Sequence, residues 1–393
     1  MMFGIVDLAI AVLLLAAVVA GFGAGLFSIL GALCGLVAGA LAVPFVLPLI
    51  ARALPESEWQ GLIIVAAAVV LLAVGMGIGS AIGALLRRGA DKLRLKFLER
   101  MLGGVAALVA GALAITMAGS AIASAGIPGL SPVVASSTVL RTIEQYTPAP
   151  LAEGAARLRA LVFGSVPLPT VQGPDSPAAP PPDPNGIDLS TPGLKAAQAS
   201  VAKISGVASQ CSIISTGSGF VIAPDRIMTN AHVVAGVTSP VVELPGEPAR
   251  DGRVVYFDPV DDIAVVAADV TAKPLGLSDA LAPGAGGAVM GYPFGGPFRV
   301  VPAGVLSSST ASIQSIDGSS SDERSIYALQ AQVEPGNSGG PLLTQDGQVA
   351  GMVFAKDEVK QNIGYAMTNA ELLPVIAQAE NATKGVATGS CRR

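Results

Sequence analysis

Histidine occurs once in the 393 residues of this chain, at His232. Any chemistry that needs an imidazole base has that residue or none. Charge is scarce too: Asp, Glu, Lys and Arg make up 13% of the chain, against 51% hydrophobic residues. That balance is too apolar for an ordinary soluble protein and predicts membrane spans. The net charge of −5 leaves no basic footprint, which excludes nucleic acid as a partner. No metal-ligand or nucleotide-binding spacing occurs, so no metal and no cofactor is expected.

The hydrophobic excess is concentrated at the N-terminus. Apolar runs cover Ile5 to Ala20 (extendable through Gly25), Leu26 to Ile50, Leu62 to Leu86 and Met101 to Ile122. They predict a membrane domain of four helices over residues 1–125, in contact with lipid. Small-residue steps at Gly31 and Gly35, and at Gly75 and Gly79, allow helices to approach closely. The first run has no basic residue before it and no polar segment after it, which argues against a cleaved signal peptide. Ionisable residues are nearly absent from the runs. Asp7 stands near an end, where it reads as interfacial, so the bundle reads as an anchor rather than a transport path. The basic stretch Arg87 to Arg100 is expected in the cytoplasm. Counting spans outward, everything after Ile122 is then extracytoplasmic.

Beyond the runs, residues 126–166 turn amphipathic, as in Leu140 to Tyr146 and Leu151 to Val162, and predict short juxtamembrane helices. Residues 167–192 are proline-rich, predicting an extended, water-exposed spacer and a natural place for a proteolytic nick, including self-cleavage. Leu194 to Val207 reads as a helix. After it come short β-rich runs at Gly219–Ala223, Val241–Leu244, Arg253–Phe257, Ile263–Ala267, Ala288–Gly291, Ile326–Gln330 and Gln348–Phe354. Their spacing predicts an all-β barrel or sandwich. Thr368-Asn369 is placed to cap a last helix, Ala370 to Ala379.

Three stretches of this β-rich half carry chemistry. In Glu334-Pro-Gly-Asn-Ser-Gly-Gly-Pro341, glycines flank Ser338 and allow a sharp turn with exposed amides. An acyl-transfer nucleophile needs that setting, though a glycine-rich turn with a bystander serine looks the same. Thr229-Asn-Ala-His232 offers the base, or else a hydrogen-bonded core histidine. Asp258-Pro-Val-Asp261-Asp262 runs into the apolar strand Ile263–Ala267, offering a carboxylate to orient an imidazole, or else an acidic turn. The order His, Asp, Ser argues against an α/β-hydrolase, where the nucleophile comes first.

With Gly217-Ser218-Gly219-Phe220 and Asp262-Ile-Ala-Val265, these stretches resemble the trypsin-like proteases of the HtrA type, over Ser200 to Gln378. The resemblance implies a chymotrypsin-like double barrel within a domain spanning 193–393. It makes His232 the general base, Ser338 the nucleophile, and Asp262 the orienting acid, with Asp261 as the alternative. The N–H groups of Gly336 and Ser338 would form the oxyanion hole. Gly351 to Ala355 would pair with substrate backbone, and Gln332 near the pocket base gives no reason for strict Lys or Arg preference.

HtrA proteases commonly carry a PDZ module after the protease, but few residues follow the last predicted helix here, so that module is expected to be absent. Asn337 stands where zymogen-activated relatives have an aspartate that pairs with a new N-terminus, which excludes that activation. The N-terminal layout is similar to the colicin V production protein family. The whole chain resembles the mycobacterial acid-resistance periplasmic protease family (MarP), which implies a protein substrate in the cell envelope and a part in surviving acid or oxidative stress. Cys34 lies inside a run and reads as a small apolar residue. Cys211 and Cys391 bracket the protease domain in a compartment that permits pairing, and a disulfide between them is expected. Two other classes remain: a catalytically silent protease-like sensor or scaffold, and a transporter with a soluble appendage.

Overall fold

The computed structural model describes residues 4–53, 60–92, 96–163, 168–171, 187–208, 213–360 and 362–390. The chain divides into two units, Met1–Thr116 and Met117–Arg393.

The first unit is helical. Its elements are α1 (Ile5–Ala24), α2 (Leu26–Ala53), α3 (Gln60–Lys92) and α4 (Lys96–Ala123), the last running on into the second unit. Three segments, Ile5–Ala24, Val70–Arg87 and Lys96–Ala123, are long and apolar enough to cross a membrane, and in α2 the apolar stretch within the described residues is Leu26–Gly39. Helices α2 and α3 touch backbone to backbone. A Cβ on Gly31, Gly35, Gly75 or Gly79 would overlap the facing helix, so only glycine permits this approach. Arg87 donates to the end carbonyls of α1, Gly23 at 2.9 Å and Ala24 at 2.5 Å, and pairs with Glu99 at 3.3 Å. A cation at a helix C-terminus satisfies carbonyls that have no partner within the helix. Asp7 is buried and accepts from the Gly4 N–H (2.9 Å) at the opposite end of α1.

The second unit opens with short helices, α5 (Leu130–Ala135), α6 (Thr138–Tyr146) and α7 (Ala149–Phe163). Ser137 caps α6 by accepting from the Leu140 N–H, 3.2 Å away. The stretch that follows departs from the expected solvated spacer. Leu168 is buried, and β1 (Thr170–Val171) pairs in parallel with Lys356 and Asp357. An apolar anchor and strand pairing take this part of the segment out of solvent while its backbone stays extended. Residues 172–186 of the expected spacer lie outside the described residues.

A second departure concerns Leu194 to Val207. Only α8 (Pro192–Ala197) is an α-helix there, started by proline and capped by Thr191, which accepts from the Leu194 N–H at 3.2 Å. A 3-10 turn follows, and then β2 (Val201–Ala208). Val201, Ile204 and Val207 fall three apart and imitate a helical stripe. The strand is instead central, paired on both sides and buried on both faces, which erases the alternation that marks strands.

Strand β2 belongs to a first seven-stranded sheet with β3 (Ile213–Ala223), β4 (Arg226–Thr229), β5 (Val241–Glu243), β6 (Arg250–Asp251), β7 (Arg253–Asp258) and β8 (Ile263–Ala267), in the order β6-β5-β2-β3-β4-β8-β7. The short helix α9 (Ala231–Val234) follows β4. A second seven-stranded sheet contains β9 (Gly286–Gly291), β10 (Arg299–Gln314), β11 (Ser321–Gln330), β12 (Pro341–Leu343), β13 (Val349–Asp357) and β14 (Ile363–Thr368). Strand β13 pairs with both β12 and β14, which closes this sheet into a barrel with β1 on its rim. The sheets share a core. Phe220, Met228 and Ile263 of the first pack in one apolar cluster with Met290, Phe354 and Met367 of the second. Helix α10 (Asn369–Ala379), capped by Thr368, adds Leu372 and Val375 to that cluster.

Candidate active site

Strand β4 ends in Thr229, and the chain turns at once into α9, which carries His232. The Thr229 hydroxyl donates to the Ser218 carbonyl at 2.7 Å, tying this corner to β3. Asp262 ends the turn before β8. Its Oδ2 lies 2.7 Å from His232 Nδ1, and its Oδ1 accepts from the His232 backbone N–H at 2.9 Å. Asn230 Nδ2 donates to the Asp262 carbonyl at 2.9 Å. Three bonds thus fix one carboxylate against one imidazole, with both side chains buried. Asp262 has φ 57°, a left-handed conformation that aspartate tolerates better than bulkier residues. Backbone conformations of this kind cluster at functional sites.

Asp261 makes no contact with the imidazole. Its side chain faces Arg324, 4.0 Å away. Burial pushes its carboxyl above the usual carboxylate range, the Asp258 charge adds to that, and Arg324 opposes it. Arg324 is itself buried, donates to the Val260 carbonyl, and stacks over the Phe354 ring at 5.9 Å. The turn before β8 is therefore held by an arginine beneath it and by Asp258, whose Oδ1 accepts from the Val260 and Asp261 N–H groups at 2.8 and 3.1 Å.

Ser338 stands between β11 and β12, directly after a tight turn. The Asn337 N–H donates to the Glu334 carbonyl at 3.0 Å, with Pro335 and Gly336 (φ 98°) at the central positions, the type II pattern. The Ser338 carbonyl accepts from the Ser218 N–H at 2.8 Å. Gly339 packs against Thr229 and Asn230, so the serine turn abuts the segment that carries His232. Among the described residues no hydrogen bond joins the Ser338 hydroxyl to His232; in such sites that contact often tightens only around substrate. The N–H groups of Gly336 and Ser338 donate to no acceptor among the described residues. These are two free amides beside one hydroxyl.

Two further groups aim the turn. The Ser218 hydroxyl donates to the Gly336 carbonyl at 2.7 Å and accepts from the Tyr292 N–H at 3.0 Å. The Phe294 N–H donates to the Pro335 carbonyl at 2.5 Å. A trans peptide points its carbonyl and its N–H in opposite directions. Holding the Pro335 carbonyl therefore turns the Gly336 N–H the other way.

A model of the trypsin-like peptidase domain matches residues 217–352, and one of the colicin V production protein matches residues 6–148. Serine protease Rv3671c of Mycobacterium tuberculosis is 36% identical over 269 residues, covering 67% of each chain. The chain belongs to the Rv3671c serine protease family. The crystal structure of the Rv3671c protease in its active form matches at 36% identity with a TM-score of 0.52, covering 57% of this chain and 97% of that one. Putative serine protease HhoB of Synechocystis is 35% identical over 156 residues, covering 39% of this chain and 37% of its own length.

As a member of this family the chain is a trypsin-like serine protease, and among the described residues it carries three helices long and apolar enough to cross a membrane. His232 and Asp262 stand at the ends of strands of the first sheet, and Gly336 and Ser338 stand between strands of the second. Sequence reasoning passed over Ser218, Asn230, Arg324 and Phe294. Ser218 and Asn230 stand inside stretches already conspicuous for glycine or for the lone histidine. Arg324 sits in a polar run with nothing local to mark it. Cys211 and Cys391 lie outside the described residues. Cys34 is free. Among the described residues no group of His, Cys, Asp and Glu could hold a metal ion.

Proposed function

We propose that the chain is a membrane-anchored, extracytoplasmic serine endopeptidase that cuts peptide bonds through an acyl-enzyme. The observation that carries this reading is the buried His232–Asp262 pair beside the turn that leaves the Gly336 and Ser338 amides unpartnered. His232 Nε2 takes the proton from Ser338 Oγ as that oxygen attacks the substrate carbonyl carbon. Asp262 accepts from Nδ1–H, so it fixes the tautomer and stabilises the imidazolium. The carbonyl oxygen, now negative, receives the two amides. Collapse of the tetrahedral species breaks the C–N bond, and His232 gives its proton to the leaving amine. Water then repeats the cycle on the ester and frees Ser338.

The apolar runs support four spans, and the basic stretch Arg87–Arg100 then sets the protease outside the cytoplasm. Its substrates are proteins of the cell envelope, and the proline-rich spacer of the chain itself is a further place for a cut. That compartment permits the expected pairing of Cys211 with Cys391. Membership in the Rv3671c family, together with the resemblance to acid-resistance proteases, supports a part in envelope stress and acid survival.

Ser338→Ala tests the core of the reading. The variant is expected to lose labelling by a serine-directed fluorophosphonate and all cleavage above background, with its thermal transition unchanged. Mass spectrometry of envelope fractions from cells carrying either chain identifies the cut proteins. Undiminished cleavage by the variant would reject the mechanism.

A further inference from the structure

Helix α7 lies against the turn Pro293–Gly295, which in turn lies against the Gly336 peptide. Arg159 Nη2 donates to the Phe294 carbonyl at 2.9 Å and to the Gly295 carbonyl at 2.7 Å, and the residue is only 8% exposed. The Arg157 guanidinium sits over the Phe294 ring, 5.3 Å from its centroid. Glu153 pairs with Arg299 at the start of β10, and Ala156 packs on Gly296. Arg157 and Arg159 of one helix converge on one short turn, and Glu153 and Ala156 hold the residues that follow it.

That turn needs holding. Phe294 has φ 56°, a left-handed backbone that is uncommon for a bulky aromatic side chain and persists only where the surroundings enforce it. Burying a guanidinium is costly as well, unless its donors are used. Arg159 uses the two donors of Nη2 on two carbonyls of the strained turn. The Phe294 N–H, on the other side of the same residue, holds the Pro335 carbonyl and so aims the Gly336 N–H.

We propose that α7 is a clamp for the oxyanion amide and that Arg159 is its positioning residue. The helix between the membrane spans and the spacer sets the fraction of molecules in which the Gly336 N–H faces the substrate carbonyl. Arg159 touches no reacting atom and acts through Phe294 and Pro335. This inference rests on the proposed role of Gly336 and extends it to a segment outside the protease barrels. One nitrogen, Nη2, serves the purpose because its two N–H groups reach two adjacent carbonyls at once.

The test uses the full chain in detergent micelles, with active sites titrated by fluorophosphonate so that rates refer to folded enzyme. Arg159→Ala is expected to lower kcat about tenfold, short of the roughly 10²–10³ expected for losing an oxyanion donor outright. KM is expected to stay nearly unchanged, because the lost interaction exists only in the transition state. Affinity for a peptide boronate, which mimics the tetrahedral intermediate, falls in proportion to kcat, and Arg159→Lys lies between. A wild-type kcat in Arg159→Ala, or a loss confined to KM, overturns the clamp. If Arg159→Ala does not fold, Glu153→Arg and Arg299→Glu decide the matter: each alone lowers kcat and the pair restores it, while failure of the pair to recover counts against the proposal. Ser338→Ala runs alongside. If it still cleaves, the protease mechanism is wrong. If it is dead while Arg159→Ala is normal, only the clamp is wrong.

Discussion

Asp261 and Asp262 are adjacent in sequence and differ in everything around them. Asp262 has both carboxylate oxygens engaged by His232, while Asp261 is part-exposed and faces Arg324. Asp262→Asn presents an amide to Nδ1 and favours the wrong tautomer. It is expected to lower kcat by about 10⁴ at neutral pH, measured with a peptide substrate. Asp261→Asn is expected to leave kcat near wild type and to change stability instead. Its folded pKa is raised, so the folded chain binds that proton more readily than the unfolded chain does. The contribution favours folding below the unfolded pKa and is lost as pH rises through the raised value. At neutral pH the ionised Asp261 opposes folding, and removing its charge raises Tm. The gain is small, because a side chain 39% exposed is screened by solvent, and it fades in acid where Asp261 is already neutral. Calorimetry at about pH 7 and about pH 4 checks this; a gain that grows in acid contradicts it.

Among the elements, the glycine contact between α2 and α3 has the sharpest consequence. Gly35 and Gly75 meet through backbone, with no room for a side chain on either. Gly35→Leu must separate the helices, and overpacking of this kind costs about 1–3 kcal/mol or more. The variant is expected to unfold at lower temperature in detergent, and an unchanged transition would mean that the helices do not pack this way. The small-residue steps that make this contact stand out in the sequence because their reason is local: glycine at helical spacing inside an apolar run. So do the strands at Arg253–Asp258 and Ile263–Ala267, bounded by turn residues, and the last helix with its threonine cap. Strand β2 is hidden because burial on both faces removes the period of two. Strand β1 is hidden because two residues carry no period at all. The stretches around His232 and Ser338 stand out because tight turns require glycine, asparagine and proline at fixed places. Arg159 and Arg324 cannot be read this way. The carbonyls of Phe294 and Gly295 lie 135 and 136 residues from Arg159, and only the folded chain brings them to it.

On the scale of the whole molecule, the order of segments matters. Helix α7 and strand β1 precede residues 172–186 in the chain, yet both rest on the second barrel. A cut within 172–186 would therefore leave them joined to the membrane helices and held to the protease by non-covalent contacts alone. Covalent connection gives the helix a high effective concentration at its turn, and a cut removes that advantage. If α7 positions the Gly336 amide, release of the protease is not simple activation, because the freed domain would also lose its clamp on dilution. The expectation is checked by placing a foreign protease site within 172–186 of the full chain and cutting it in micelles. After dilution, kcat per titrated site should fall to the level of uncut Arg159→Ala. Cutting the Arg159→Ala chain should produce no further fall, since the same interaction cannot be lost twice. A cut chain that holds its rate on dilution would mean that the barrels keep the oxyanion turn in place unaided.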